Sequence, residues 1–104
     1  MSEIFYLIDL SDDMRKRHYH KVQRGKVVDF VIQLEVKVER EWKEVLRYDC
    51  SHGYAHRDRY NLKGKKKTDD LSLMDYKEAL SLADRDINRN WQTYKERFLK
   101  GGYP

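Results

Sequence analysis

Val28-Asp29-Phe30-Val31-Ile32-Gln33-Leu34-Glu35-Val36-Lys37-Val38 alternates with a period of two. Val28, Phe30, Ile32, Leu34, Val36 and Val38 fall on one parity, and Asp29, Val31, Gln33, Glu35 and Lys37 on the other. Successive strand side chains point to opposite faces, so this stretch predicts a long strand with one buried face. Trp42 to Cys50 repeats the pattern, with Trp42, Leu46, Tyr48 and Cys50 set against Lys43, Val45, Arg47 and Asp49. A His52-Gly53 turn leads into a third strand over 54–60. An Arg24-Gly25 turn joins a leading strand over 15–23 to the long one. Residues 3–10 read as a short edge strand, with a helix as the other option, and Ser11-Asp12-Asp13 as a turn.

The last third changes period. Tyr76, Leu80, Ala83, Ile87, Trp91, Tyr94 and Phe98 recur every three or four residues, which is one face of a helix. Its extent is expected from Leu73 to Lys100. Ser72 would cap the start, and Gly101-Gly102 would end it, since glycine enters the left-handed region without a Cβ clash. The expected fold is therefore α+β: an antiparallel meander of about four strands with a long C-terminal helix on its apolar face. At 104 residues the chain is expected to form one domain over 1–104.

Charged residues make up 38% and aromatic residues 12%, with a mean hydropathy of -0.98. That balance gives an ionic surface around a modest core and argues against disorder, which is poor in aromatics. The longest apolar run, Ile4-Phe5-Tyr6-Leu7-Ile8, is far short of the ~20 residues a spanning helix needs. It has no basic flank or small-residue cleavage site beside it, so a cytoplasmic protein without membrane contact is expected. Cys50 is the only cysteine, which excludes an internal disulfide and a thiolate zinc cage; it reads as a buried apolar residue. The five glycines form no phosphate-binding loop motif, and no cofactor is expected.

The net charge of +4 is unevenly spread. Arg57, Arg59, Lys63, Lys65, Lys66 and Lys67 face one acid, Asp58, within eleven residues. Such a run raises affinity for phosphates through counterion release, although a solvated loop and a charged edge strand have the same composition. Arg15-Lys16-Arg17 is a second basic run.

Turn geometry sets strand register. With His52 and Gly53 at the centre of their turn, Asp49 opposes His56 and Arg47 opposes Asp58. With Arg24 and Gly25 likewise placed, His20 opposes Asp29 and His18 opposes Val31. A three-residue Glu39-Arg40-Glu41 loop sets Val31 beside Asp49 and Gln33 beside Arg47. The polar face would then gather His18, His20, Asp29, Gln33, Arg47, Asp49, His56 and Asp58, with His52 at its rim. Three chemistries fit such a face. One is a salt-bridged surface or dimer contact. Another is an acid–base site, with His56 oriented by Asp49 and Arg47 holding a phosphate. The third is a metal site built from His18, His56 and Asp58 or Asp49.

The stretch Arg47-Tyr48-Asp49-Cys50-Ser51-His52-Gly53-Tyr54-Ala55-His56-Arg57-Asp58 resembles a pattern in small prokaryotic proteins of the TumE type, toxin components of toxin–antitoxin pairs. The resemblance implies RNA cleavage or RNA binding and an antitoxin-like protein partner. The positions it carries over are Arg47, Asp49, His52, His56 and Asp58. The first expectation is thus an RNA-binding or RNA-cleaving protein, with His56 as acid or base and the 57–67 run on phosphates. The second is a non-catalytic interaction protein, a homo-oligomer whose polar face or helix end meets its partner.

Overall fold

A computed structural model describes all 104 residues. Six strands, β1 (Ser2–Ser11), β2 (Met14–Gln23), β3 (Lys26–Val38), β4 (Glu41–Asp49), β5 (His56–Tyr60) and β6 (Lys66–Asp70), precede one helix, α1 (Tyr76–Leu99). All strand pairs are antiparallel, and sheet order follows chain order from β1 to β6. The α+β class and the meander are as expected, but there are six strands rather than four. Residues 3–10 do form the edge strand β1. The unanticipated strand is β6, whose sequence Lys-Lys-Thr-Asp-Asp has no apolar residue to mark it.

The helix lies on the face carrying Phe30, Ile32, Leu34 and Val36 of β3 and Leu46 and Tyr48 of β4, all fully buried. It meets them with Ala79, Ala83, Ile87 and Phe98. The two alanines bring the helix backbone close to the sheet, and the larger residues fill the flanks. At 24 residues the helix is about 36 Å long. Its cap is Asp75, not Ser72. The Asp75 carboxylate accepts from Glu78 N–H at 2.8 Å, and the Glu78 side chain accepts from Asp75 N–H, a reciprocal capping box. Gly101, with φ 89°, closes the other end by donating its N–H to the Phe98 carbonyl.

Three bulges decide which side chains share a face. The first, near Asp9 and Ser11, lies at the end of β1. The second leaves Val28 without a partner between the Lys21–Asp29 and Val22–Val27 pairs. It moves every β2 residue from Lys21 back to Met14 by one position, so His20 opposes Phe30 and His18 opposes Ile32. The third leaves Val45 unpaired between the Leu34–Leu46 and Glu35–Glu44 pairs. A two-residue Glu39-Arg40 turn plus this bulge gives the same Val31–Asp49 and Gln33–Arg47 pairing that a three-residue loop would have given. It also turns Trp42 to the face away from the helix, under the Arg15 guanidinium at 4.0 Å, and not into the core.

Candidate functional site

The face away from the helix, the open face, carries a chain of polar side chains across five strands. Asp49 pairs with His56, and Arg47 with Asp58, in the register expected from the His52-Gly53 turn. The ladder stops at Asp49–His56, and residues 50–55 form a loop tied by Gly53 N–H to the Cys50 carbonyl. Asp49 is the hub. Its Oδ2 accepts from Arg47 Nε at 2.5 Å, and its Oδ1 from Ser51 N–H at 3.1 Å and Ser51 Oγ at 3.0 Å. His56 Nε2 lies 2.9 Å from Asp49 Oδ1 and 3.7 Å from Asp58 Oδ2. A carboxylate only accepts, so His56 presents a proton on Nε2, while its Nδ1 faces the Tyr54 carbonyl at 3.4 Å. Thr68 Oγ1 donates to Asp58 at 2.7 Å, and Lys66 Nζ stands 3.8 Å from the same carboxylate.

On the other side, Arg47 donates to Gln33, Gln33 to Glu35, and Arg15 and Arg17 to the two Glu35 oxygens. Burial by itself would raise the Asp49 and Glu35 carboxyls. The Ser51 amide, Arg47 and His56 at the first, and Arg15, Gln33 and Arg17 at the second, more than offset it and hold both below their ordinary values. Asp49, His56 and Asp58 are only 3%, 1% and 5% exposed.

Arg47, Asp49, His56 and Asp58 therefore converge, and His52 stays at the rim with its ring 5.1 Å from that of His56. The others separate. Arg57 and Arg59 point to the helix face and share Asp69, with Arg57 also 3.5 Å from Asp86. Lys63 and Lys65 are exposed around the β5–β6 turn, Lys66 joins the open face, and Lys67 sits over Tyr103. His18 and His20 are the main correction. The β2–β3 bulge puts them on the helix face, so a metal site combining His18 with His56 and Asp58 does not exist. Asp49, His56 and Asp58 do hold potential ligand atoms within 4.8 Å of one another. Both Asp49 oxygens already accept from protein donors there, so a metal would have to displace Arg47 or Ser51. Cys50 is buried, and burial pushes its thiol up to about 11, which suits the expected inert role.

Two polar groupings escaped sequence reasoning. Tyr48 and Tyr94 hydroxyls both donate to Asp86 at 2.5 Å, and Asn90 joins them at 2.8 Å. The signal was present, because Asp86, Asn90 and Tyr94 recur at four-residue spacing beside the apolar stripe. The second grouping follows from the flipped strand. Lys16 donates to Asp84 and Asn88, and His18 Nε2 lies 2.7 Å from His20 Nδ1. Tyr6 stacks on His18 at 4.4 Å, and His18 Nδ1, 3.7 Å from Asp84, is buried without a hydrogen bond.

Burial lowers the His18 pKa, helped by His20 and Lys16 and opposed by Asp84. A depressed histidine adds stability above its unfolded value of about 6.5, which is lost as pH falls through the folded value. The urea midpoint should therefore drop between pH 7.5 and 5.5, and His18→Leu should flatten that drop. An unchanged pH profile in the variant would mean that His18 does not titrate against this environment.

The family match covers this whole arrangement, from β1 through α1. The chain belongs to a family described as a domain of unknown function (DUF7718), matched over residues 1–103. No curated protein matches it, and no solved structure does. No helix is long and apolar enough to cross a membrane.

Proposed function

We propose that the chain binds single-stranded RNA along β5 and β6 on the open face. The observation carrying this reading is the placement of exposed aromatic rings and exposed cations at opposite ends of one short strand. His52 and Tyr54, with ring centroids 6.4 Å apart, stand before β5, and Lys63 and Lys65 stand after it. Arg47 and Lys66, each about a third to a half exposed, lie between. Bases stack on aromatic faces whatever their sequence, while a cationic track follows the phosphates. Five strand residues span about 16 Å, room for a few nucleotides.

The same geometry favours binding over cleavage. Both His56 nitrogens face protein acceptors and the ring is 1% exposed, so it offers no free nitrogen to a ribose hydroxyl. On this reading His56, Asp49 and Asp58 fix the shape of the sheet beneath the track. A toxin role with an antitoxin-like partner, and a cytoplasmic location, remain part of the proposal on the strength of the Arg47–Asp58 resemblance.

The test is fluorescence anisotropy with a labelled single-stranded RNA over a salt series. Changing Lys63, Lys65 and Lys66 together to Gln should lower affinity and flatten the salt slope by up to about 2, at ~0.7 per lost single-strand contact. Tyr54→Ala should weaken binding without changing that slope. Absence of binding by the unmodified chain at low salt, or a triple variant that binds as before, removes the track. RNA cleavage abolished by His56→Ala in a folded variant would move the reading to a catalytic site.

A further inference from the structure

The two edges of the sheet are built in opposite ways. Edge β6 is five residues long and entirely charged or polar, the usual protection against pairing with another chain. Edge β1 is ten residues long and carries five consecutive apolar residues. Ile4, Phe5, Tyr6, Leu7 and Ile8 are 43%, 58%, 38%, 46% and 38% exposed, on both faces of the sheet, and the strand pairs on one side only.

We infer that β1 is the interface of a symmetric homodimer, in which the β1 strands of two copies pair antiparallel about a two-fold axis at Tyr6. The strand's own sequence selects a second copy as its occupant. An apolar run centred on Tyr6 is flanked at equal distances by Glu3 and Asp9. Antiparallel pairing about Tyr6 superimposes the run on itself, matching Ile4 with Ile8 and Phe5 with Leu7 of the other copy. A two-fold axis makes each of these contacts twice. The pairing also brings Glu3 beside the other copy's Asp9. Each of these acids already has a cation opposite it on β2: Lys21 across from Glu3, with Nζ at 3.8 Å, and Arg15 across from Asp9. Lys21 offsets the like charges on the Glu3 side of each junction, while Arg15, held by Glu35, faces Asp9 only across the strand register.

The area is adequate. With side chains of ~150–250 Å² for the larger residues, the exposed fractions leave on the order of 450 Å² of apolar residues per copy. Two copies together bring about 900 Å² of these residues, and the flanking residues of both strands raise the pair toward roughly 1,200 Å², the lower bound of stable interfaces. The product is a continuous twelve-stranded sheet with both helices on one side. The proposed RNA track on β5 and β6 stays at the two far ends, so this inference stands independently of it.

Sedimentation equilibrium of the full chain at micromolar concentration should give twice the 12.7 kDa chain mass. Tyr6→Lys, which sets two ammonium groups against each other at the axis, should give a monomer with an unchanged circular dichroism spectrum. Because Tyr6 also stacks on His18, Phe5→Lys combined with Leu7→Lys provides the same test from the other face. Tyr6→Cys should cross-link to its own copy under mild oxidation, whereas Leu10→Cys should not. Native Cys50 is buried and should stay out of the reaction. A monomer at all concentrations, a dimer that survives both sets of lysines, or a Leu10→Cys cross-link as efficient as that of Tyr6→Cys would overturn the proposal. So would a chain that stays monomeric alone and pairs only with a different protein.

Discussion

Asp49→Ala should destabilise the fold by about 3–5 kcal/mol, the cost of removing one partner from a buried charged network. Four donors converge on this carboxylate: Arg47 Nε, Ser51 N–H, Ser51 Oγ and His56 Nε2. Arg47 and Ser51 can turn to water, since Arg47 is a third exposed and Ser51 lies in an open loop. His56 cannot, because it is 1% exposed and its next carboxylate, Asp58, is 3.7 Å away and already engaged by Thr68. Most of the loss therefore comes through a stranded imidazole N–H. Asp49→Asn keeps an acceptor and should cost clearly less. The Asp49 carboxyl is held below its ordinary 3.8, so this contribution is present at neutral pH and fades only as pH falls through that lower value. Urea melts at pH 7 and pH 3 check both statements. A loss under about 1 kcal/mol for Asp49→Ala at pH 7 would show that the network does little for the fold, leaving Asp49 and His56 free for chemistry.

That hub was visible in the sequence because one tight loop separates its members. Residues 50–55 leave the ladder, but symmetrically about His52-Gly53, so counting outward from that pair still gives Asp49–His56 and Arg47–Asp58. The β3–β4 pairing came out right for a different reason: a shorter turn and the bulge at Val45 cancel in register beyond the bulge. They do not cancel at Trp42, which ends on the open face beneath Arg15. In β2 nothing cancels. Val28 reads in sequence as one more member of an alternating run, yet its partner slot is skipped, and His18 and His20 go to the helix side with it. A bulge is set by the sheet's need to twist over neighbouring elements, which local alternation does not encode. Edge β6 was missed because its charges, placed to discourage pairing, also erase the pattern by which strands are recognised. The helix start moved from Ser72 to Asp75 because only Asp75 has a glutamate three residues on to complete the reciprocal cap.

Phe98→Ala should cost about 3–5 kcal/mol, and Trp91→Ala clearly less, although the two occupy equivalent places in the apolar stripe. Phe98 is 1% exposed in the last turn of α1, whereas Trp91 is only partly buried, bordering a surface cleft with Ser11, Asp13 and Lys95. Tryptophan is the larger residue, so ranking by size alone would reverse the order. The difference lies in what surrounds each ring. Phe98 belongs to the buried core cluster, with Tyr60 and Leu62 packed at its border. Removing its ring leaves a gap inside that cluster, and a buried gap that its neighbours fill only in part sets the upper part of the range. Trp91 borders solvent, where neighbouring Gln92 and Lys95 can move over the gap. Denaturant midpoints of the two variants, compared at equal m values, decide the matter. A larger loss for Trp91→Ala would mean that the helix rolls about its axis from Trp91 onward, carrying the Phe98 ring out of the sheet and the Trp91 indole in.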